Sequence, residues 1–200
     1  CPGLTYLYCY CNHISTLDIT RCPGLTEINC YGNPIEVLDV TQCPELTKLS
    51  CHIDRLSTLN LTRCTKLEYL SCGSNQLQTL DLTACPGLTY VSCIGNKITA
   101  LDLPHCTGLT QLYCYDNHIS TLDITGCTAL TNLSCHNNRL STLDASGMDS
   151  PWILECGGQT TDGTTTRQLS LTLRADQQTR WEQQKGSNNN KKVAPTYKNN

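Results

Sequence analysis

Sixteen cysteines and nine tyrosines among 200 residues hold most of this chain's chemical potential. Thiols at that density can cross-link into a disulfide frame, hold zinc, or supply a nucleophile. Their spacing separates these options. Seven stand at Cys1, Cys22, Cys43, Cys64, Cys85, Cys106 and Cys127, always 21 residues apart. Eight more, at Cys9, Cys30, Cys51, Cys72, Cys93, Cys114, Cys135 and Cys156, keep the same period. Only Cys11 lies outside both series. Side chains stacked in register stay near the strand spacing of ~4.8 Å, whereas a disulfide needs Cβ atoms roughly 3.5–4.5 Å apart. Zinc requires four converging ligands rather than a row, and a nucleophilic thiol needs exposure and a basic neighbour. The favoured reading is free thiols packed as small hydrophobes; ladder disulfides, metal binding and catalysis are the alternatives. No metal or cofactor is expected. Cys11 alone is placed for exposure, and the similar sixth repeat carries Asp116 there, which reads as drift.

The same period organises the elements that must position these groups. Leu4, Leu25, Leu46, Leu67, Leu88, Leu109 and Leu130 form an unbroken column. The next apolar column runs from Leu7 to Leu133, and an Asn column runs from Asn12 to Asn138, with Asp54 as its exception. Then come an Ile/Leu column, a Leu column and a mostly Asp column. The unit is C-x-x-L-T-x-L-x-C-x-x-N-x-[IL]-x-x-L-D-x-T-x, seven times without insertion. It contains the leucine-rich-repeat signature with Cys in its third apolar slot. Alternation around Leu7 and Cys9 predicts a short strand, paired in parallel with its neighbours. The Asn side chains are expected to bond backbone at the corner and in the next repeat. A unit this short leaves little room for a helix, so the expected fold is a right-handed leucine-rich-repeat solenoid with a parallel β ladder on its concave face and an extended convex side. The Asp column is expected to be structural, its charge taken up by adjacent Thr and backbone amides. The position after Asn (His13, Pro34, Arg55, Gln76, Lys97, His118, Arg139) reads as a solvated edge.

Met148, Leu154 and Cys156 keep the phase, with Pro151 where Leu is usual, so the solenoid is expected over 1–158 and ends in a half-repeat. Residues 159–185 read as a C-terminal cap: a turn-rich loop at 160–164, a strand at 168–174 and a helix at 175–185 containing Trp181. Residues 186–200 are polar and expected to be a flexible tail. The chain begins on the first residue of a repeat with no signal peptide, and is therefore expected to be a processed or truncated product.

The outward positions of the predicted strands collect eight of the nine tyrosines on one face; Tyr197 is the exception. The candidate ligand-binding residues are Tyr6, Tyr8, Tyr10, Tyr31, His52, Tyr69, Tyr90, Tyr113, Tyr115 and His136, interspersed with Ser and Asn. This is the chemistry of adaptable recognition surfaces. The competing reading is that Tyr favours strands and stacks on itself. No hydrolase, zinc-protease or P-loop motif is present, and the net charge of −3 excludes electrostatic support for a nucleic-acid partner. No apolar run is long enough to span a bilayer.

The C-x-x-N-x-[IL]-x-x-L-D-[ILV]-T unit resembles the cysteine-ladder repeats of the internalin-J type. It also resembles the 21-residue repeats of secreted and surface proteins from Gram-negative anaerobes, which share the 157–165 and 168–173 segments and the Arg180-Trp181 pair. The resemblance spans about residues 1–182. It implies an exported, secreted or cell-surface bacterial protein, adhesin-like and tied to virulence, that engages a protein ligand through the repeat face, host surface or matrix included. A glycan partner using the concave tyrosines is an alternative; the targeting domain of an effector enzyme is another. No L-P-x-T-G motif occurs.

Overall fold

The computed structural model describes residues 1–103, 106–148, 152–161, 165–190 and 192–198. Thirteen short strands are found there: β1 (Tyr6–Tyr8), β2 (Glu27–Asn29), β3 (Lys48–Ser50), β4 (Tyr69–Ser71), β5 (Tyr90–Ser92), β6 (Ala100–Leu101), β7 (Gln111–Tyr113), β8 (Thr121–Leu122), β9 (Asn132–Ser134), β10 (Thr142–Asp144), β11 (Ile153–Glu155), β12 (Leu169–Arg174) and β13 (Val193–Lys198). One helix, α1 (Gln178–Gln184), follows β12 after a 3-10 turn. Strands β1, β2, β3, β4, β5, β7, β9 and β11 form one parallel sheet, each step a shift of one repeat. Leu7 pairs with Ile28, Ile28 with Leu49, and so on to Leu133 with Leu154. The opposite side is extended: β6 pairs with β8, and β10 pairs with β12, which in turn pairs with β13.

Between these sides lies a core of the Leu, Ile and Cys columns. Thirteen cysteines are buried, Cys9 is partly so, and Cys1 and Cys11 are exposed; all are free. Burial pushes the Cys30, Cys85 and Cys93 thiols up to about 12. Native alkylation is therefore expected to modify Cys1 and Cys11, and Cys9 slowly, with the other thirteen reacting only after denaturation. Rapid native labelling of Cys72 or Cys93, read by peptide mass spectrometry, would contradict the packing described.

The asparagine column joins the repeats. Asn96 Nδ2 donates to Cys72 O (3.1 Å), Cys93 O (3.0 Å) and Ile94 O (3.3 Å), while its Oδ1 accepts from Leu77 N (3.0 Å). The bonds run to the preceding repeat, which corrects the expectation that they run to the next one. Gln159 continues the column: its Nε2 donates to Cys135 O (3.0 Å) and Cys156 O (2.8 Å), and Leu140 N donates to its Oε1 (2.8 Å). The ladder thus reaches one residue past the boundary expected at 158. The Asp column behaves as anticipated. Asp18, Asp39, Asp81 and Asp123 accept from the hydroxyl and amide of the Thr two residues on, and these bonds hold their carboxyls below the usual range.

One corner position takes a left-handed backbone in every repeat: Cys11, Gly32, Ile53, Ser74, Gly95, Asp116, Asn137 and Gly158 all have positive φ. This assigns Cys11 to a column whose requirement is conformational rather than chemical. Ile53 is the costliest occupant, because a β-branched side chain crowds the backbone there. It is 58 % exposed, so little burial offsets that cost. Ile53→Gly is expected to stabilise the protein by about 1 kcal/mol in urea unfolding; a loss of stability would contradict the strain.

The edge of β11 is closed by side chains. Leu154 N donates to Gln184 Oε1 (2.8 Å), and Asn190 accepts from Cys156 N (2.9 Å) and donates to Leu154 O (2.9 Å). Such closure protects an edge strand from stray pairing. Within the tail expected to be flexible over 186–200, the described residues include held ones: Asn190 plugs the ladder, and β13 pairs with β12 from Leu169↔Val193 to Arg174↔Lys198. The polar composition hid a segment held by backbone pairing. Pro151 and residues 162–164 of the expected loop lie outside the described residues.

Candidate binding face

On the outer face of the main ladder, side chains form three rows, one repeat per rung. The first reads Tyr6, Glu27, Lys48, Tyr69, Tyr90, Gln111, Asn132 and Ile153. The middle row reads Tyr8, Asn29, Ser50, Ser71, Ser92, Tyr113, Ser134 and Glu155. The third, just past the strands, reads Tyr10, Tyr31, His52, Gly73, Ile94, Tyr115, His136 and Gly157. Period-two alternation sends these residues outward while Leu and Cys point in.

All ten candidate residues lie on this face, but not equivalently. Tyr6, Tyr8 and Tyr10 are exposed; Tyr31, His52, Tyr69, Tyr90, Tyr113 and Tyr115 are half-buried; His136 is only 6 % exposed. Much of the half-burial is ring on ring. Tyr10 stacks on Tyr31 (centroids 5.1 Å), and Tyr31 on His52 (4.5 Å). Tyr69 stacks on Tyr90 and Tyr115 on His136, both at 4.4 Å. Both faces of Tyr31 are thus covered by neighbouring rings, which removes it as a platform for a sugar ring. Burial also pushes the Tyr90 phenol up to about 12, with Tyr69 adding to the effect.

Between the outer rows, Asn29, Ser50, Ser71 and Ser92 make a low polar floor. Tyr8 and Tyr113 stand at its ends, about 24 Å apart at one rung per ~4.8 Å. At the Tyr8 end a depression is lined by Tyr10, Glu27, Asn29, Lys48, Ser50 and Tyr69. There Tyr8 Oη donates to Glu27 Oε2 (2.6 Å) and Lys48 Nζ to Glu27 Oε1 (2.9 Å). These bonds, Tyr8 first, hold the Glu27 carboxyl below its usual range. Asn29 Oδ1 is a buried acceptor with no partner. Glu27, Asn29 and Lys48 were absent from the sequence-based candidate set; the signal for two of them was opposite charge 21 residues apart.

His136 sits in a closed network. Ser134 Oγ lies 2.9 Å from both His136 Nδ1 and Glu155 Oε2, and donates to the latter. This assigns the Nδ1 proton to His136. Burial lowers the His136 pKa, with Glu155 and Asp116 opposing. Here the hydroxyl stands between imidazole and carboxylate, so the imidazole cannot take the serine proton. The arrangement orders the face rather than activating a nucleophile.

A family model described as leucine-rich repeats (2 copies) matches residues 107–147. No curated protein matches the chain by sequence. Among solved structures, the functional domain of InlJ from Listeria monocytogenes, which includes a cysteine ladder, is 32 % identical with a TM-score of 0.61. The match covers 86 % of this chain and 44 % of that one. The internalin InlF from the same species is 22 % identical, TM-score 0.65, over 70 % of this chain and 43 % of that one. The plant peptide hormone receptor RGFR1, solved in complex with RGF2, is 22 % identical, TM-score 0.68, over 86 % and 29 %. The chain thus spans less than half the length of each of these. Among the described residues no helix is long and apolar enough to cross a membrane. Repeat, ladder and likeness agree: the chain folds as a leucine-rich-repeat solenoid and resembles the cysteine-ladder type found in InlJ.

Proposed function

We propose that the chain is a non-catalytic recognition module of an exported, adhesin-like protein, binding an extended segment of a protein ligand along the ladder face. The observation that carries this reading is the low Asn29–Ser92 floor, flanked by Tyr31 and His52 on one side and by Tyr69 and Tyr90 further along the other. Its small hydroxyl side chains leave room for a main chain, and Tyr69 and Tyr90 supply rigid apolar contact at small entropic cost. The likeness to internalins supports secretion or surface display, and a host protein is the partner class that this likeness favours.

A random-peptide display library panned against the chain provides a ligand for calorimetry. The Tyr69→Ala/Tyr90→Ala double variant is expected to bind the selected peptide at least ten-fold more weakly. Thr58→Ala, on the far side, should leave binding unchanged. Equal affinity of the double variant would sink the proposal. Binding to arrayed neutral glycans that is lost in Tyr113→Ala and Tyr115→Ala would favour the glycan alternative instead.

A further inference from the structure

The corner after the asparagine column reads as a solvated edge in the sequence, yet its C-terminal half is chemically distinct. Lys97, His118 and Arg139 occupy successive rungs there. Their amides continue the ladder, donating to Leu77 O (2.8 Å), Ile98 O (2.9 Å) and Ile119 O (2.8 Å). The three side chains therefore emerge one above another, ~4.8 Å per rung. They sense each other: after burial, the charges of Arg139 and Lys97 are what lower the His118 pKa. Arg167 joins them, its Nη1 donating to Arg139 O (3.3 Å).

Several exposed lysines elsewhere are matched by a carboxylate. Lys48 meets Glu27, Lys66 meets Glu45, and Lys198 meets Asp144. Lys97, Arg139 and Arg167 have no carboxylate partner among the described residues. Arg139 Nε is a buried donor with no acceptor. Lys97 and Arg139 stand two rungs apart on one edge, and their repulsion is not offset by a carboxylate among the described residues. The neighbouring exposed positions are hydroxyls, Ser120 and Ser141.

From this we infer that the ridge of Lys97, His118, Arg139 and Arg167 is a second binding site, for an anionic polysaccharide. Charged, uncharged and charged rungs in sequence suit a chain that carries an acidic group on alternate sugars. The flanking hydroxyls suit its polyhydroxylated backbone. The site lies on a different side from the aromatic trough, so a protein ligand and a polysaccharide can be held together. A local patch of this kind acts at short range despite the net charge of −3.

The test is calorimetric titration of the full chain with a heparin hexasaccharide at about 0.15 M salt, where only close contacts escape screening. Lys97→Gln/Arg139→Gln is expected to weaken binding at least ten-fold. Lys66→Gln/Lys185→Gln, which removes the same charge elsewhere, should change it less than two-fold. Circular dichroism reports whether the first variant folds; if it does not, Lys97→Gln alone, at an exposed side chain, should weaken binding about three-fold. No binding by the parent, equal weakening in both double variants, or unchanged binding in Lys97→Gln overturns the inference. Equally tight binding of a poly-glutamate peptide overturns it too, by showing an acidic-peptide site.

Discussion

Asp54→Asn is expected to stabilise the protein by about 2–3 kcal/mol at neutral pH and to flatten its stability between pH 4 and 6. Asp54 occupies the asparagine column but lacks the amide donor. Asn75, one repeat on, donates to Cys51 O (2.8 Å) and Cys72 O (3.1 Å). Asp54 accepts only from Asn33 N (2.8 Å), and its Oδ2 is buried without a partner. The residue is 8 % exposed, and burial raises its pKa to about 6, the Asn33 amide opposing. The sign follows from proton binding. The folded state holds the Asp54 proton up to about pH 6, whereas the unfolded chain releases it near 4. Stability therefore falls as pH rises across that window, and the full penalty remains above it. Below pH 4 the protonated carboxyl can donate as an amide does, and parent and variant should converge. Urea unfolding at pH 4 and 7 checks this; a variant no more stable than the parent at pH 7 would contradict it.

Asn117→Ala has the opposite and larger effect. Asn117 Nδ2 donates to Cys93 O (3.0 Å), Cys114 O (3.1 Å) and Tyr115 O (3.3 Å), and its Oδ1 accepts from Ile98 N (3.0 Å). Alanine leaves these backbone groups buried and unpaired at a joint between repeats. Each such group costs about 1–3 kcal/mol, and relaxation recovers part of the sum, so a loss of about 3–5 kcal/mol is expected. Because each repeat is stabilised by its neighbours, the damage should spread through the stack. Asn117→Asp should create a second Asp54: tolerated at pH 4 and increasingly costly toward pH 7. A loss below 1 kcal/mol for Asn117→Ala would mean the column is decorative.

The ladder was legible because a 21-residue period leaves one inward register for Leu and Cys. The Asp–Thr turns were legible because donor and acceptor lie two residues apart. The direction of the asparagine bonds was not, since spacing does not say which neighbouring carbonyl lies closer. Gln159 was assigned to the cap because its type differs, although its place in the repeat, 21 residues after Asn138, marks it as the next rung. Strand β13 was hidden by its Asn- and Lys-rich surroundings; pairing with β12, not its own apolar content, orders it. The tyrosine face was readable from alternation alone. Its stacking was not, because whether Tyr31 meets His52 or solvent depends on rotamers that only the packed ladder settles. His136 illustrates the cost of that gap: an outward position by alternation, it is buried beneath Tyr115 and beside Ser134.

Hydrogen–deuterium exchange with a peptide selected against the parent chain tests the central claim most directly. The ladder-face account predicts protection over Lys48–Ser50, Tyr69–Ser71, Tyr90–Ser92 and Gln111–Tyr113, with no change at Thr121–Leu122 or Thr142–Asp144. Protection confined to the latter two segments, with the four ladder strands unchanged, would contradict it.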